Sequence, residues 1–228
     1  MYRYETHLHT APASACARCS VKDNVDFYAR AGYAGIFVTN HFVDGNIGAP
    51  RDLPYADKID FYERDYTDAV ECGREVGLSV FFGVELSYGG TDFLVYGLDA
   101  AWYRAHPEIM EMKKSDELRY LREAGGLSIQ AHPYREAAYI DHIRLFPRCV
   151  EGVEVINACR TDLENRMAEA YAEAYGLFRF AGTDNHRGAE QPKLAGVGFD
   201  VPIEDVGDFV RRLREGGYTL FCEDNPRL

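Results

Sequence analysis

Apolar positions in this chain fall into short β-branched or aromatic runs, separated by longer stretches with three- and four-residue spacing. Seven runs read as strands: 2–8, 35–39, 78–86, 93–98, 127–131, 150–156 and 178–182. Helical spacing covers 20–31, 62–76, 107–124, 160–175 and 204–215. Ser20 sits where an N-cap belongs, and Gly77, Gly125, Gly176 and Gly216 follow the last periodic positions as C-terminal stops. Tyr88-Gly89-Gly90 predicts a tight turn joining the third and fourth strands without a helix, and Gly196-Val197-Gly198 also reads as a turn. Residues 45–53 read as a long surface loop. Strands and helices alternate throughout, with no internal repeat and no Pro/Gly/Ser linker. This predicts one α/β domain over 1–228, either a parallel barrel of about seven strands or an open doubly wound sheet.

Composition narrows the class. The chain has 228 residues, 46% of them hydrophobic and 13% aromatic, which is ample for a real core and excludes a disordered polymer. No apolar run approaches the ~20 residues that span a bilayer. The start, Met1-Tyr-Arg-Tyr-Glu-Thr-His7, carries no apolar export stretch, so a cytoplasmic, reducing location is expected. In that setting the six cysteines predict no disulfide framework. Cys16-Ala-Arg-Cys19 has C-x-x-C spacing without a second pair, leaving ordinary loop thiols, a redox pair or an auxiliary metal ligand as its readings. A net charge of −12 argues against gripping a nucleic-acid backbone.

Polar residues gather where the strands end. The first run closes His7-Leu8-His9, whose alternation puts both imidazoles on one face. The second closes Thr39-Asn40-His41 and the third Gly83-Val84-Glu85. The fourth begins near Asp92, the fifth closes Gln130-Ala131-His132, and the seventh closes Gly182-Thr183-Asp184-Asn185-His186. Only His106 and His142 fall in stretches expected to be helical. At the C-terminal ends of a parallel barrel these groups converge on one face, where active sites sit. Gathered without a cation, they would leave buried carboxylates and ring nitrogens uncompensated, at a cost of a few kcal/mol each. Divalent ions remove that penalty, and eight candidate ligands suit two or three of them.

His7-x-His9-Thr10, Thr39-Asn40-His41, Gly83-Val84-Glu85, Ala131-His132-Pro133 and Gly182-Thr183-Asp184-Asn185-His186 occur in this order over essentially the whole chain. The set resembles the PHP (polymerase and histidinol phosphatase) family. Glu154-Val-Ile-Asn157 with Asn165 is similar to that family's sixth-strand signature. The resemblance implies a distorted seven-stranded, TIM-like β/α barrel carrying two or three divalent metal ions (zinc, manganese or iron) that hydrolyses phosphoesters. It implies that His7, His9, Glu85 and Asp184 hold one metal, that Glu85 bridges to a second completed by Asp92 and His132, and that His41 and His186 serve a third. Asn40 stands where members often carry Asp. The segment 13–16 lacks the acid or histidine that commonly reaches the third metal, leaving Cys16, a water or an empty position there.

Two cations about 3.5–4 Å apart acidify a bridging water and stabilise an in-line displacement at phosphorus. Glu85, His41 and His186 are then the expected catalytic groups, the imidazoles assisting the leaving alkoxide or serving the third ion. Arg135, Arg160 and Arg187 each follow a site motif and are expected to bind substrate phosphate oxygens, favouring a small phosphomonoester over a polyanion. Tyr88 and Tyr134, which flank the ligands, are expected at the pocket wall. Two rival functions stay open: a metal-dependent amidohydrolase, and a catalytically silent metal-binding regulatory module such as the proofreading-like domain fused to some polymerases.

Overall fold

In the computed structural model, which describes residues 1–226, nine strands form one nearly closed sheet in the order β7-β6-β5-β4-β3-β2-β1-β8-β9. All seven expected strands are present: β1 Tyr2–Leu8, β2 Gly35–Val38, β3 Ser79–Tyr88, β4 Thr91–Tyr96, β5 Leu127–Ala131, β6 Gly152–Asn157 and β7 Phe178–Gly182. The strand number expected from sequence is corrected by two more, β8 Lys193–Phe199 and β9 Thr219–Asp224. Gly196 and Gly198 therefore lie inside a strand rather than in a turn. A Cβ at Gly196 would stand 2.1 Å from the Tyr4 carbonyl oxygen, so glycine here admits the backbone of β1 at close range.

The sheet is mixed. The β1–β2, β2–β3, β5–β6 and β6–β7 pairs are parallel, while the β3–β4 hairpin, β4–β5, β1–β8 and β8–β9 are antiparallel. Closure comes from the chain just beyond β7: Asn185 bridges Leu8 in parallel, with backbone bonds His9 N–H to Asn185 O and Asn185 N–H to His7 O. Because β4 runs backwards, its first turn, with Asp92 opposite Ala131, lies at the same end as the C-terminal ends of the parallel strands.

Helices α1 Val21–Arg30, α2 Tyr55–Val76, α3 Ala100–Ala105, α4 Lys114–Glu123 and α5 Asp162–Tyr175 coat the outside, and α6 Val206–Glu215 lies across one end of the barrel. Ser20 caps α1 as expected, accepting from the Asp23 amide. The helix expected from 62 begins at Tyr55, because Ile59 and Tyr62 extend its buried stripe. The stretch expected as one helix over 107–124 is a 3₁₀ turn at Pro107–Glu111 followed by α4. His106 stacks on Trp102 at 4.2 Å between α3 and that turn, and His142 lies in an irregular segment, so neither is helical.

Aromatic side chains fill the barrel interior. Phe209 of α6 packs on Phe37 at 4.2 Å and on Tyr96 at 5.3 Å, with Phe180 and Phe199 around it. Tyr96 and its partner Leu127 lie at the end opposite Asp92, so α6 plugs the barrel there and only the other end stays open. No helix among the described residues is long and apolar enough to cross a membrane.

Candidate metal centre

At the open end, the carboxylate of Glu85 on β3 lies among four imidazoles. Its Oε1 is 3.1 Å from His7 Nε2 and 3.3 Å from His132 Nε2; its Oε2 is 2.7 Å from His41 Nδ1 and 3.4 Å from His9 Nε2. Asp184 faces it, with Oδ1 3.6 Å from His7 Nε2, 3.4 Å from His9 Nε2 and 3.3 Å from His186 Nδ1, and Oδ2 3.8 Å from His132 Nε2. Three groups bring ligand atoms within 4.8 Å of one another: His7, Glu85 and His132; His7, His9 and Asp184; His9, His41 and His186. Residues scattered over 180 positions of sequence thus meet in one place.

Asp92 stands at the edge of this cluster, outside the three groups. Its Oδ2 is 4.0 Å from His132 Nε2 and 3.2 Å from the Arg135 guanidinium. A cavity of about 530 Å³ opens over Glu85, Asp92, His132 and Asp184. A second cleft of about 480 Å³ adjoins it, sharing Cys16, Arg135, Asp184 and His186, and carries Arg18, Arg160 and Arg187. The three arginines expected from sequence thus line this cleft, and Arg18, which the sequence did not mark, joins them. Arg135 and Arg160 each keep a buried Nε without a hydrogen-bond partner. The tyrosine expectation is corrected: Tyr88 packs edge-on against Phe146 and Tyr134 against Tyr171, while Tyr139 lines the cavity.

Fully buried carboxylates fix the ligands from behind. Glu154 Oε1 accepts from His7 Nδ1 at 2.9 Å, and its Oε2 accepts from the His132 amide and from Asn157 Nδ2, both at 2.9 Å. Glu5 Oε1 accepts from the amides of Thr6, His7 and Thr183, and its Oε2 from the hydroxyls of Tyr28 and Thr183. Taking those amides accompanies the register shift between Glu5 and Leu8 that turns the end of β1 into the site. Gly182 leaves room for this arrangement: a Cβ there would stand 2.5 Å from His7 Cβ and 2.7 Å from Glu154 Oε1. Among the described residues, the two non-glycine positions with positive φ, His132 (26°) and Asp184 (60°), both carry candidate ligands. Such outliers persist where surrounding contacts hold them.

A third acid works on the loop after β1. Asp65 of α2 accepts from the Thr10 hydroxyl and the Ala13 amide. Asn40 accepts from the Thr10 amide and the Ser14 hydroxyl, and donates to the Thr10 hydroxyl. Ser14 Oγ in turn meets His9 Nδ1 at 2.9 Å. Sequence marked neither Asp65 nor Ser14. In an acidic helix a buried anchor looks like any solvated Asp.

The centre is built for positive charge. His7 Nε2, His9 Nε2 and Glu85 Oε2 are buried without a hydrogen-bond partner, which is costly unless another ligand meets them. Burial favours neutral His7, yet Glu154, Asp184 and Glu85 push its pKa well above the usual histidine value. Burial likewise opposes charge on His41 and His186, and Glu85 with Cys16 for the first, Cys16 with Asp184 for the second, raises both. His9 goes the other way: burial, then His186 and His41, hold it well below. Glu85 and Asp184 are kept ionised against burial chiefly by His41 and His7, and by His7 and His9, respectively. Cys16 is lowered to about 6 against burial by His186 and His41. Metal uptake should release protons and tighten as pH rises through the raised histidine values, because a ring must be deprotonated to ligate. Calorimetry in buffers of different ionisation enthalpy measures this; uptake without proton release would contradict it.

No protein-family model matches the sequence, and no curated protein does. Solved structures do. A two-domain Bacteroides vulgatus protein containing a predicted PHP-like metal-dependent phosphoesterase aligns with a TM-score of 0.73 at 15% identity, over 96% of this chain and 64% of that one. This chain therefore spans just under two thirds of that neighbour. A Bifidobacterium adolescentis protein named for metal-dependent phosphoesterase activity aligns at 0.56 and 12% identity, covering 82% of this chain and 88% of its own. An amidohydrolase of Chromobacterium violaceum, with bound sulfate and no metal, aligns at 0.54 and 16% identity, covering 95% and 97%. The chain has the fold found in PHP-like metal-dependent phosphoesterases.

Proposed function

We propose that this chain, acting as one domain, is a metal-dependent phosphoesterase that hydrolyses a small phosphomonoester at a centre of two or three ions. One observation carries the reading: buried imidazole nitrogens without partners stand around Glu85, whose own Oε2 is unpartnered, and Asp184, directly beside an arginine-lined cleft. His7, His9 and Asp184 would hold one ion, His132 and Asp92 a second, and Glu85, beside both His7 and His132, would serve the two. When bound, zinc, manganese or iron would supply Lewis acidity and an acidic water. The protein's own part is positional. Glu154 keeps the His7 proton on Nδ1, so that Nε2 presents a lone pair. Arg160, Arg187 and Arg18 offer donors to phosphoryl oxygens, and Arg135 can reach the same anion by leaving Asp92. His41 and His186, at the rim, would assist the leaving alkoxide in a two-ion centre or serve a third ion.

The amidohydrolase neighbour, with its sulfate, keeps amide hydrolysis as the second reading. Protein purified without chelators should contain at least two ions per chain. It should release phosphate from a monoester panel, lose that activity to chelators and regain it on metal addition. Turnover of amides or lactones without phosphate release would establish the rival. Full metal with no hydrolysis of either class would mark a silent metal-binding module.

A further inference from the structure

Cys16 brings a soft donor to the rim of an otherwise nitrogen and oxygen site. It lines the cavity over Glu85 together with His41 and His186, and the arginine cleft together with His186. The loop that carries it is fastened on both sides. Ser14 N–H bonds to Thr10 O, Ala15 N–H to Asn46 O, and Arg18 N–H to His186 O. His186 is oriented as ligands usually are, its Nδ1 turned to Asp184 O at 2.9 Å, which leaves its Nε2 for something else. His41 Nδ1 is buried 2.7 Å from Glu85 Oε2 but has no hydrogen-bond partner. His9, fully buried with an unpartnered Nε2, crowds the same space, its ring 4.4 Å from His41 and 4.1 Å from His186. The other cysteines nearby are engaged elsewhere. Cys159 Sγ donates to Asp184 O at 3.4 Å, and Cys19 packs under Gly188, where an added Cβ would meet its Sγ at 2.3 Å.

We propose that Cys16 is a thiolate ligand, binding together with His41 and His186 an ion additional to the pair bridged by Glu85. The inference rests on the metal-centre reading above. Three protein ligands with an open fourth position match the donor number of catalytic zinc sites. A thiolate favours zinc or iron(II) over manganese or magnesium. The segment 13–16, without acid or imidazole, thus supplies its donor as sulfur, and Asn40 serves by shaping the loop through Thr10 and Ser14.

X-ray absorption on zinc-loaded full-length protein tests this. Wild type should show a zinc–sulfur shell near ~2.3 Å beside the nitrogen and oxygen shell at ~2.0–2.1 Å. Cys16→Ser should lose the sulfur shell entirely, while Cys159→Ser keeps it. Cys16→Asp should hold as much zinc as wild type, without sulfur scattering. Zinc-loaded wild type with nitrogen and oxygen neighbours alone overturns the sulfur ligand and leaves the hydrolase reading standing. A sulfur shell that survives Cys16→Ser overturns it as well. A chain that takes up no zinc overturns both.

Discussion

Glu85→Ala should empty the centre of most of its metal and lower phosphate release by about 10³-fold, the scale on which removing one preorganised charge-stabilising group acts. Glu85 Oε1 lies beside His7 and His132, and its Oε2 beside His41 and His9, so a single deletion takes a donor from beside all four rings. It also removes the carboxylate that helps raise His7 and His41, so both rings should titrate lower in the metal-free variant. Elemental analysis, phosphate release and histidine ring-proton titration by NMR read the three consequences separately. Full metal content with normal turnover would remove Glu85 from the centre. Glu85→Gln keeps the shape but not the charge. It should fall between wild type and alanine in bound metal while lowering His41 just as alanine does.

What sequence made legible was the ends of strands. His7, His9, His41, Glu85, His132, Asp184 and His186 were all visible because each closes an apolar run, and the structure brings all seven together. Strands 1–7 were visible for the same reason. β8 was not, because its buried positions are shared with Gly196 and Gly198, and β9 is only partly buried and carries little alternation to read. The supporting acids were hidden for a different reason. Glu5 lies inside β1, where a charged residue reads as an outward-facing strand position, yet it is buried and accepts five hydrogen bonds from three parts of the chain. Nothing local to Glu5 specifies Tyr28 or Thr183; only closure of the barrel does. Arg18 shows the same limit. It looks like a solvated loop arginine until the Arg18 N–H to His186 O bond brings its loop to the cleft.

Two substitutions at Glu154 separate packing from chemistry. Glu154→Ala leaves His7 Nδ1 and the His132 amide without acceptors in a dry interior, and it frees the positive-φ backbone of His132. It should cost about 3–5 kcal/mol in urea unfolding of the metal-free protein and weaken metal binding by roughly 10–100-fold. Glu154→Gln fills the same volume but has only one oxygen for groups that now use two. Its oxygen best serves the His132 amide and Asn157, which are obligate donors there, so its NH₂ must turn toward His7. That makes His7 Nδ1 the acceptor and moves the ring proton to Nε2, the atom facing Glu85 and Asp184. The glutamine variant should therefore unfold within about 1–2 kcal/mol of wild type, yet bind metal as poorly as the alanine variant. Nitrogen-15 NMR of the His7 ring reads the tautomer directly. Wild-type metal affinity in Glu154→Gln would mean that Nε2 is not the ligating atom, and the first ion would have to be held without His7.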